Sequence, residues 1–416
     1  MDLRNVVVQD THSTHHGQEV DIRIEKGIIK AIAKSKIKSA SPKMLTPGLM
    51  DLSSHFNDPG AEYKEDLNTG LKTACEGGFT DVCILPNTLP VVDNRSTIEY
   101  VLAKGSQQVT SVHPLGALSK KLEGDSLAEI LDLKESGAVA FTDGTVPIMN
   151  AELLLTALQY VQKFNGIVIS RPRDLSLSKG GQMHEGNVST SLGLVGMSSL
   201  SEIVMIERDL SILAYTGGRL HIHGISTFES VALIAKAKKS GLAVTCDVIL
   251  HQLCYTDDSL CSFDSCYKVD PPLRTNKDIQ ALKKGLKNGT IDAISIDHLP
   301  QDIEGKNLEF DMAEFGMIGL QTAVSSLLSL ISTELSLDML LEKLSNGPRH
   351  VLKLPRVKIE EGEFAKLTLL DTRLKWDYNQ GSNISKSNNS PLLGHPLTGK
   401  SVGVINGEKS YFLSKV

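Results

Sequence analysis

Polar side chains of the types used in metal and acid–base chemistry lie where predicted strands end. Residues 47–63 begin as a short apolar run and then present Ser53, His55 and Asn57 before an Asp-Pro-Gly turn. Alternate residues of a strand share one face, so these three side chains point the same way. Two imidazoles at this spacing can bind one zinc ion, but only His55 is present. The stretch therefore has the setting of a metal site and lacks part of its ligands.

Other predicted strand ends carry further candidates. They are Asn87 after the second strand, Asp143 after the fourth, Arg171 and Arg173 after the fifth, His221, His223 and Gly224 at the sixth, and Asp297 and His298 at the eighth. An aspartate beside a histidine at such a position is a candidate general base. Asp297 is accordingly the predicted catalytic residue, and His221 is expected to be a buried histidine that binds no metal.

The elements that position these residues repeat as strand, loop and helix from residue 47 onward. Strands are predicted to end near Ser53, Pro86, Ala117, Thr142, Ser170, Ser226, Ile249 and Asp297, with helical runs of period 3.6 such as residues 229–239 between them. Eight successive βα units predict an α/β fold, a (β/α)₈ barrel over residues 47–355. A doubly wound open sheet is disfavoured because no Gly-x-Gly-x-x-Gly turn follows the first strand.

Both ends of the chain show the alternation of β structure. Residues 1–46 and 356–416 each contain too few strands to be stable alone. We therefore predict that they pair into one small β-sheet domain beside the barrel. Residues 379–390 are rich in Asn, Ser and Gly and are predicted to form a mobile connection.

Composition narrows the function classes. The chain has 416 residues, a formal net charge of -6 and 41% hydrophobic residues. This mild acidity argues against a nucleic-acid partner. No apolar run approaches the roughly 20 residues that span a bilayer, and no signal segment begins the chain. We expect a cytoplasmic homo-oligomer without a membrane partner, whose six cysteines lack the CxxC spacing of a zinc knuckle.

Segments spread over nearly the whole chain match the motifs of one known family. They lie at residues 47–51, 58–65, 85–90, 138–143, 183–186, 268–275, 297–300 and 315–320. Together they resemble dihydroorotase, in particular the zinc-dependent class I type of the amidohydrolase superfamily. The resemblance implies a metallo-dependent hydrolase barrel flanked by a sheet domain from both termini.

The resemblance also implies a two-zinc site, from which this sequence departs. The family's metal-binding histidines fall on Ser53 and His55 in the first strand, Arg171 in the fifth and Gly224 in the sixth, and one carboxylate, Asp143, stands where the fourth strand has two. The ligands left by this comparison are His55, Asp143 and Asp297. The expectation is no cofactor, or at most one weakly held zinc.

Two of these replacements affect a metal differently. A guanidinium at Arg171, about 5 Å from a divalent ion at an effective dielectric near 20, would be repelled by roughly 6 to 7 kcal/mol. At the sixth strand, His223 lies one residue before Gly224, and a shift by one residue turns a strand side chain to the other face. We predict that His223 does not substitute unless a local bulge redirects it.

The family's substrate-binding positions are also altered. The arginine of the first strand is Asn57, an asparagine before Pro-Pro-Leu-Arg is Asp270, and a histidine four residues after the catalytic aspartate is Gln301. Asn87 and the turn at Phe315 and Gly316 are retained. The loss of a bidentate arginine removes the contact that would hold a substrate carboxylate.

These departures favour a dihydroorotase-like protein of pyrimidine biosynthesis that lacks the activity and has a structural role. The resemblance implies aspartate transcarbamoylase as its partner. The alternative is an active dihydroorotase or cyclic-amide hydrolase, converting carbamoyl aspartate to dihydroorotate with a reduced metal site. A third hypothesis is a barrel that binds an anion at Arg171 and Arg173, although salt bridges would explain the pair equally well.

Overall fold

The computed structural model describes residues 1–36 and 41–413. The chain begins with four strands, β1 (Asp2–Val8), β2 (Glu19–Glu25), β3 (Ile28–Lys34) and β4 (Lys43–Pro47). In β2, buried and solvated residues alternate, as expected for a sheet with one covered face. These strands start the small domain.

The barrel strands follow, and their residues are buried because helices cover the sheet from outside. They are β5 (Leu49–Ser54), β6 (Phe79–Ile84), β7 (Ser111–Pro114) continued by β8 (Gly116–Ala117), β9 (Phe141–Thr142), β10 (Val168–Ser170), β13 (Leu220–Ile222), β14 (Val244–Ile249) and β15 (Ala293–Ser295). Two further strands, β11 (Met183–His184) and β12 (Gly196–Met197), form a separate two-stranded sheet. The predicted (β/α)₈ barrel is confirmed.

Parallel pairing closes these strands into a ring. One sheet has the order β15-β14-β13-β10-β9-β8 and the other β5-β6-β7. The two sheets join at Leu115, whose amide donates to the Ile84 carbonyl at 2.9 Å, and again where the His55 amide donates to the His298 carbonyl at 2.9 Å. The second junction brings the ends of the first and eighth barrel strands side by side.

Helices surround the barrel and continue into the loops. They are α1 (Leu67–Glu76), α2 (Arg95–Gly105), α3 (Ile130–Ser136), α4 (Ala151–Val161), α5 (Asn187–Leu192), α6 (Leu200–Thr216), α7 (Phe228–Lys239), α8 (Leu250–Cys254), α9 (Asn276–Lys287), α10 (Ile303–Lys306), α11 (Ala323–Ser329), α12 (Leu337–Leu344) and α13 (Asn346–Leu352). Short 3₁₀ turns lie at Lys120–Leu122, Gln162–Phe164, Asp257–Ser262 and Ser265–Tyr267. Side chains supply the caps: Asp66 accepts from the Thr69 amide at the start of α1.

The chain ends in β16 (Lys366–Tyr378), β17 (His395–Asn406) and β18 (Lys409–Phe412). These strands join the first four in one sheet of order β18-β17-β16-β4-β1-β2-β3. Val8, Val20 and Leu367 lie in the apolar core of this sheet. The predicted small domain from both termini is therefore present.

The segment 379–390 is not the loosely attached connection that its composition predicts. Ser385 donates to the buried Glu65 carboxylate, and the Asn389 side chain donates to the Leu299 carbonyl at 2.9 Å. Asparagine and serine here make hydrogen bonds with the barrel, which a composition rule cannot distinguish from exposure to water.

Among the helices of the described residues, none combines the length and the apolar character needed to span a membrane.

Candidate functional site

Asp297 is the centre of the site at the carboxyl end of the barrel. Its Oδ1 accepts a hydrogen bond from Ser53 Oγ at 2.8 Å. The Arg171 guanidinium donates to both oxygens, with NH1 3.3 Å from Oδ1 and NH2 3.0 Å from Oδ2. Both Arg171 and Asp297 are 5% exposed. The predicted catalytic carboxylate is thus held in a buried, bidentate ion pair.

His223 also lies near this carboxylate. Strand β13 ends at Ile222, and Gly224 has a φ of +70°. The His223 Nε2 atom lies 3.7 Å from Asp297 Oδ1, and its Nδ1 donates to Asp247 Oδ2 at 2.8 Å. His221 and His223, two residues apart, both lie beside Asp247, as side chains on one face of a strand do.

Neighbouring charges determine the protonation states of Asp297 and His223. Burial alone would raise the pKa of the Asp297 carboxyl, but Arg171 and His223 outweigh burial and hold that pKa below its usual value. Burial opposes charge on His223, yet Asp247 and Asp297 raise its pKa to about 9. Asp297 is therefore ionised and His223 carries a proton at neutral pH.

The two arginines after β10 are neutralised by neighbouring acids. Arg173 NH1 lies 2.6 Å from Asp270 Oδ2, and Arg171 also donates to the Asp270 carbonyl. Asp270, which stands where the family pattern has an asparagine, pairs with Arg173. Salt bridges account for both guanidinium groups, as the simpler of the two sequence interpretations proposed.

The carboxylate of the predicted residual ligand Asp143 is bonded to the loop that contains Leu118 and Ser119. Its Oδ1 accepts from the Leu118 and Ser119 amides at 3.0 and 2.8 Å, and its Oδ2 accepts from Ser119 Oγ at 2.6 Å. Burial raises its pKa despite these bonds. The carboxylate thus organises the loop after the third barrel strand.

His55 and Asn87, from the ends of the first and second barrel strands, are in contact with each other. His55 Nε2 is 2.6 Å from the Asn87 carbonyl, while its buried Nδ1 has no hydrogen-bond partner among the described residues. The Asn87 side chain donates to the Asp143 carbonyl at 3.0 Å and accepts from the Thr145 amide at 3.1 Å. Gly144 leaves room for this carboxamide, since a Cβ there would lie 1.7 Å from Asn87 Oδ1.

The remaining predicted substrate positions are engaged in loop contacts. Gln301 accepts from Lys64 Nζ at 2.7 Å and donates to the Phe315 carbonyl at 2.8 Å. Gly316, with a φ of +139°, donates its amide to the Lys268 carbonyl. Asn57 is 7% exposed and has a φ of +56°. These residues shape the mouth of the barrel, and Lys64 is a cation among their contacts.

A pair of zinc ions does not fit these residues. The Asp297 oxygens bond to Ser53 and Arg171, and the Asp143 oxygens bond to the loop around Ser119. Gly224 offers no side chain, and its positive φ would strain a histidine. Among the described residues, ligand atoms converge within 4.8 Å at His221, His223 and Asp247, and not at the predicted set of His55, Asp143 and Asp297.

Sequence reasoning missed Asp247 altogether. It lies inside β14 in an apolar run, and its partner His223 comes from the preceding barrel strand. The register His221↔Thr245 places Asp247 beside residue 223. The sequence signal was one charged residue in a strand that is otherwise predicted to be buried, which is rare unless the charge is paired.

Comparisons with known proteins agree with the sequence motifs. A family model described as dihydro-orotase-like matches residues 42–230. The chain is 39% identical over 392 residues to the dihydroorotase of Syntrophus aciditrophicus (strain SB), covering 92% of each chain. It is 41% identical over 390 residues to that of Pelotomaculum thermopropionicum, covering 92% of this chain and 90% of the other.

Solved structures show the same fold. An L-hydantoinase (dihydropyrimidinase) from Arthrobacter aurescens superposes with a TM-score of 0.84 at 20% identity, covering 99% of this chain and 97% of that one. A D-hydantoinase superposes with a TM-score of 0.82 at 18% identity, covering 100% and 95%.

Proposed function

The chain belongs to the dihydroorotase family, and on that premise we propose that it serves pyrimidine biosynthesis without dihydroorotase activity, as a structural partner of aspartate transcarbamoylase. The observation that carries the proposal is the ion pair of Arg171 and Asp297. A permanent cation stands where the resemblance places a zinc-binding histidine, and it binds the carboxylate that would otherwise hold a metal.

The chemistry of ring opening explains why this pair matters. Hydrolysis of a cyclic amide needs water made nucleophilic, which zinc achieves by lowering the pKa of bound water to about 7. It also needs a base whose pKa lies near the working pH. Asp297 has a pKa below its usual value, and both of its oxygens already accept hydrogen bonds. It is a poor proton acceptor in this setting.

Substrate recognition supports the same conclusion. Dihydroorotate carries a carboxylate, and the arginine that the family pattern provides for it is Asn57. The arginines of the site, Arg171 and Arg173, pair with Asp297 and Asp270, while Lys64 donates to the neutral Gln301 side chain. A carboxylate that binds either arginine would have to break one of these ion pairs.

The proposed partner follows from the resemblance, which implies that some inactive relatives assemble with aspartate transcarbamoylase. The fold is retained although the site is altered, which is expected of a protein selected for its surface and shape and not for catalysis. Large apolar side chains are exposed in the segments that follow barrel strands, including Tyr63 at 65%, Leu89 at 75% and Ile303, the first residue of α10, at 75%. Such exposure is compatible with burial against another protein.

One experiment addresses both parts of the proposal. The purified chain is mixed with aspartate transcarbamoylase from the same organism, separated by gel filtration, and assayed in each fraction for ring closure of carbamoyl aspartate with added zinc. We expect co-elution and no turnover above the blank. The dihydroorotase of Syntrophus aciditrophicus serves as the positive control for the assay.

Each part has its own contradicting outcome. Separate elution of the two proteins would overturn the partnership. Zinc-dependent turnover that disappears in the Asp297→Asn variant would overturn the claim of inactivity.

A further inference from the structure

Three buried side chains at the sixth and seventh barrel strands form a group distinct from the family's metal positions. His221 and His223 come from β13 and the residue after it, and Asp247 from β14. One ligand atom from each lies within 4.8 Å of the others. Their exposures are 0%, 4% and 0%.

The hydrogen bonds of this group leave nitrogen atoms without partners. His221 Nδ1 bonds to Thr245 Oγ1 at 2.9 Å, while its Nε2 lies 3.4 Å from Asp247 Oδ2 without a hydrogen bond. The Nδ1 of His223 lies 2.8 Å from the same Asp247 oxygen, and its Nε2 makes no hydrogen bond and lies 3.7 Å from Asp297 Oδ1. If Thr245 accepts from Nδ1, the Nε2 lone pair faces the negative oxygen, and a cation between them removes that repulsion.

The surrounding charges also leave space for a cation. Three carboxylates, of Asp247, Asp270 and Asp297, are in contact with two guanidinium groups and the two histidines. With both histidines neutral, as binding to a metal requires, this buried cluster carries one net negative charge, which favours a cation.

We propose that His221, His223 and Asp247 bind a single divalent transition-metal ion, zinc by its preference for imidazole and carboxylate. This ligand set matches the imidazole and carboxylate chemistry that zinc favours. It shares no residue with the set that the family pattern assigns, namely Ser53, His55, Asp143, Arg171, Gly224 and Asp297. The three ligands are buried and come from adjacent strands, so the ion would stabilise the junction of these strands.

The test is metal retention by the full-length protein, with Co²⁺ as a visible probe of zinc sites. Protein stripped with chelator is dialysed against Co²⁺, washed, and examined for its metal content and its d–d absorption. We expect about one ion per chain in a low-symmetry site and a higher melting temperature in the loaded protein. The His221→Phe variant, which keeps a ring of similar volume, should lose the ion.

Two variants serve as matched controls. His251→Phe removes another buried histidine whose Nε2 has no partner among the described residues, and His55→Gln removes the family-position imidazole. Both should retain the ion. An unloaded wild-type protein, equal retention by His221→Phe, or loss of the ion in His55→Gln would each overturn the proposal.

This inference is separate from the proposed function. If the protein does not bind Co²⁺, the proposed metal site is overturned, but the proposal that the protein lacks dihydroorotase activity is unaffected. Ring-closing activity would overturn the claim of inactivity whether or not His221 holds a metal.

Discussion

Replacing Arg171 by leucine is expected to lower the free energy of unfolding by about 3 kcal/mol, near the lower end of the range for breaking a buried ion pair. The change leaves the Asp297 carboxylate buried without its bidentate partner. His223, 3.7 Å away, still provides some compensation, which keeps the loss from being larger. Urea unfolding followed by circular dichroism measures the effect.

A double variant and a neighbouring arginine provide the controls. Arg171→Leu combined with Asp297→Leu should recover much of the loss, because no uncompensated charge remains. Arg173→Leu should cost about 1 kcal/mol, since that side chain is 25% exposed and its partner is Asp270. If Arg171→Leu costs no more than Arg173→Leu, the ion pair does not have the structural role described here.

The Asp81→Asn substitution is expected to cost about 3 to 5 kcal/mol, the range for breaking a buried pair. Asp81 lies in β6 and accepts from Arg349 NH2 at 2.5 Å and from His113 Nε2 at 2.8 Å. Arg349 is 2% exposed and also donates to the Gly48 carbonyl, so it connects the last barrel helix to the first barrel strand. In the Asp81→Asn variant, the buried Arg349 guanidinium therefore has no carboxylate partner.

Lys366→Met is the matched control for Asp81. Lys366 Nζ binds the same carboxylate from the small domain, but its side chain is 22% exposed. Water can compensate part of its charge, so the expected loss is about 1 kcal/mol. Equal losses from Asp81→Asn and Lys366→Met in the same urea titration would contradict the role given to Arg349.

The sequence predicted the fold well because strand ends leave local signals. The predicted ends at Thr142, Ser170 and Ile249 coincide with the ends of β9, β10 and β14. The sixth strand was predicted to run to Ser226, yet β13 ends at Ile222. A positive φ at a single glycine stops this strand, and no apolar pattern records such a turn.

The candidate site was less predictable because its contacts come from distant parts of the chain. Motif comparison identified Arg171 and Gly224 as replacements, but the bond between Arg171 and Asp297 spans 126 residues. The role of Asp143 as a metal ligand was implied by the family motif, whereas the Leu118 and Ser119 amides determine where its carboxylate lies. Strand alternation alone could not show that the His223 imidazole would pair with Asp247, which comes from the next barrel strand.

The central claim is that Arg171 occupies the place of a metal ligand beside Asp297. Crystals grown with zinc and measured at the zinc absorption edge test it directly. We expect no anomalous peak within bonding distance of both His55 and Asp297. The Arg171 guanidinium should still be paired with the Asp297 carboxylate. Two anomalous peaks between His55 and Asp297, with Arg171 displaced, would contradict it.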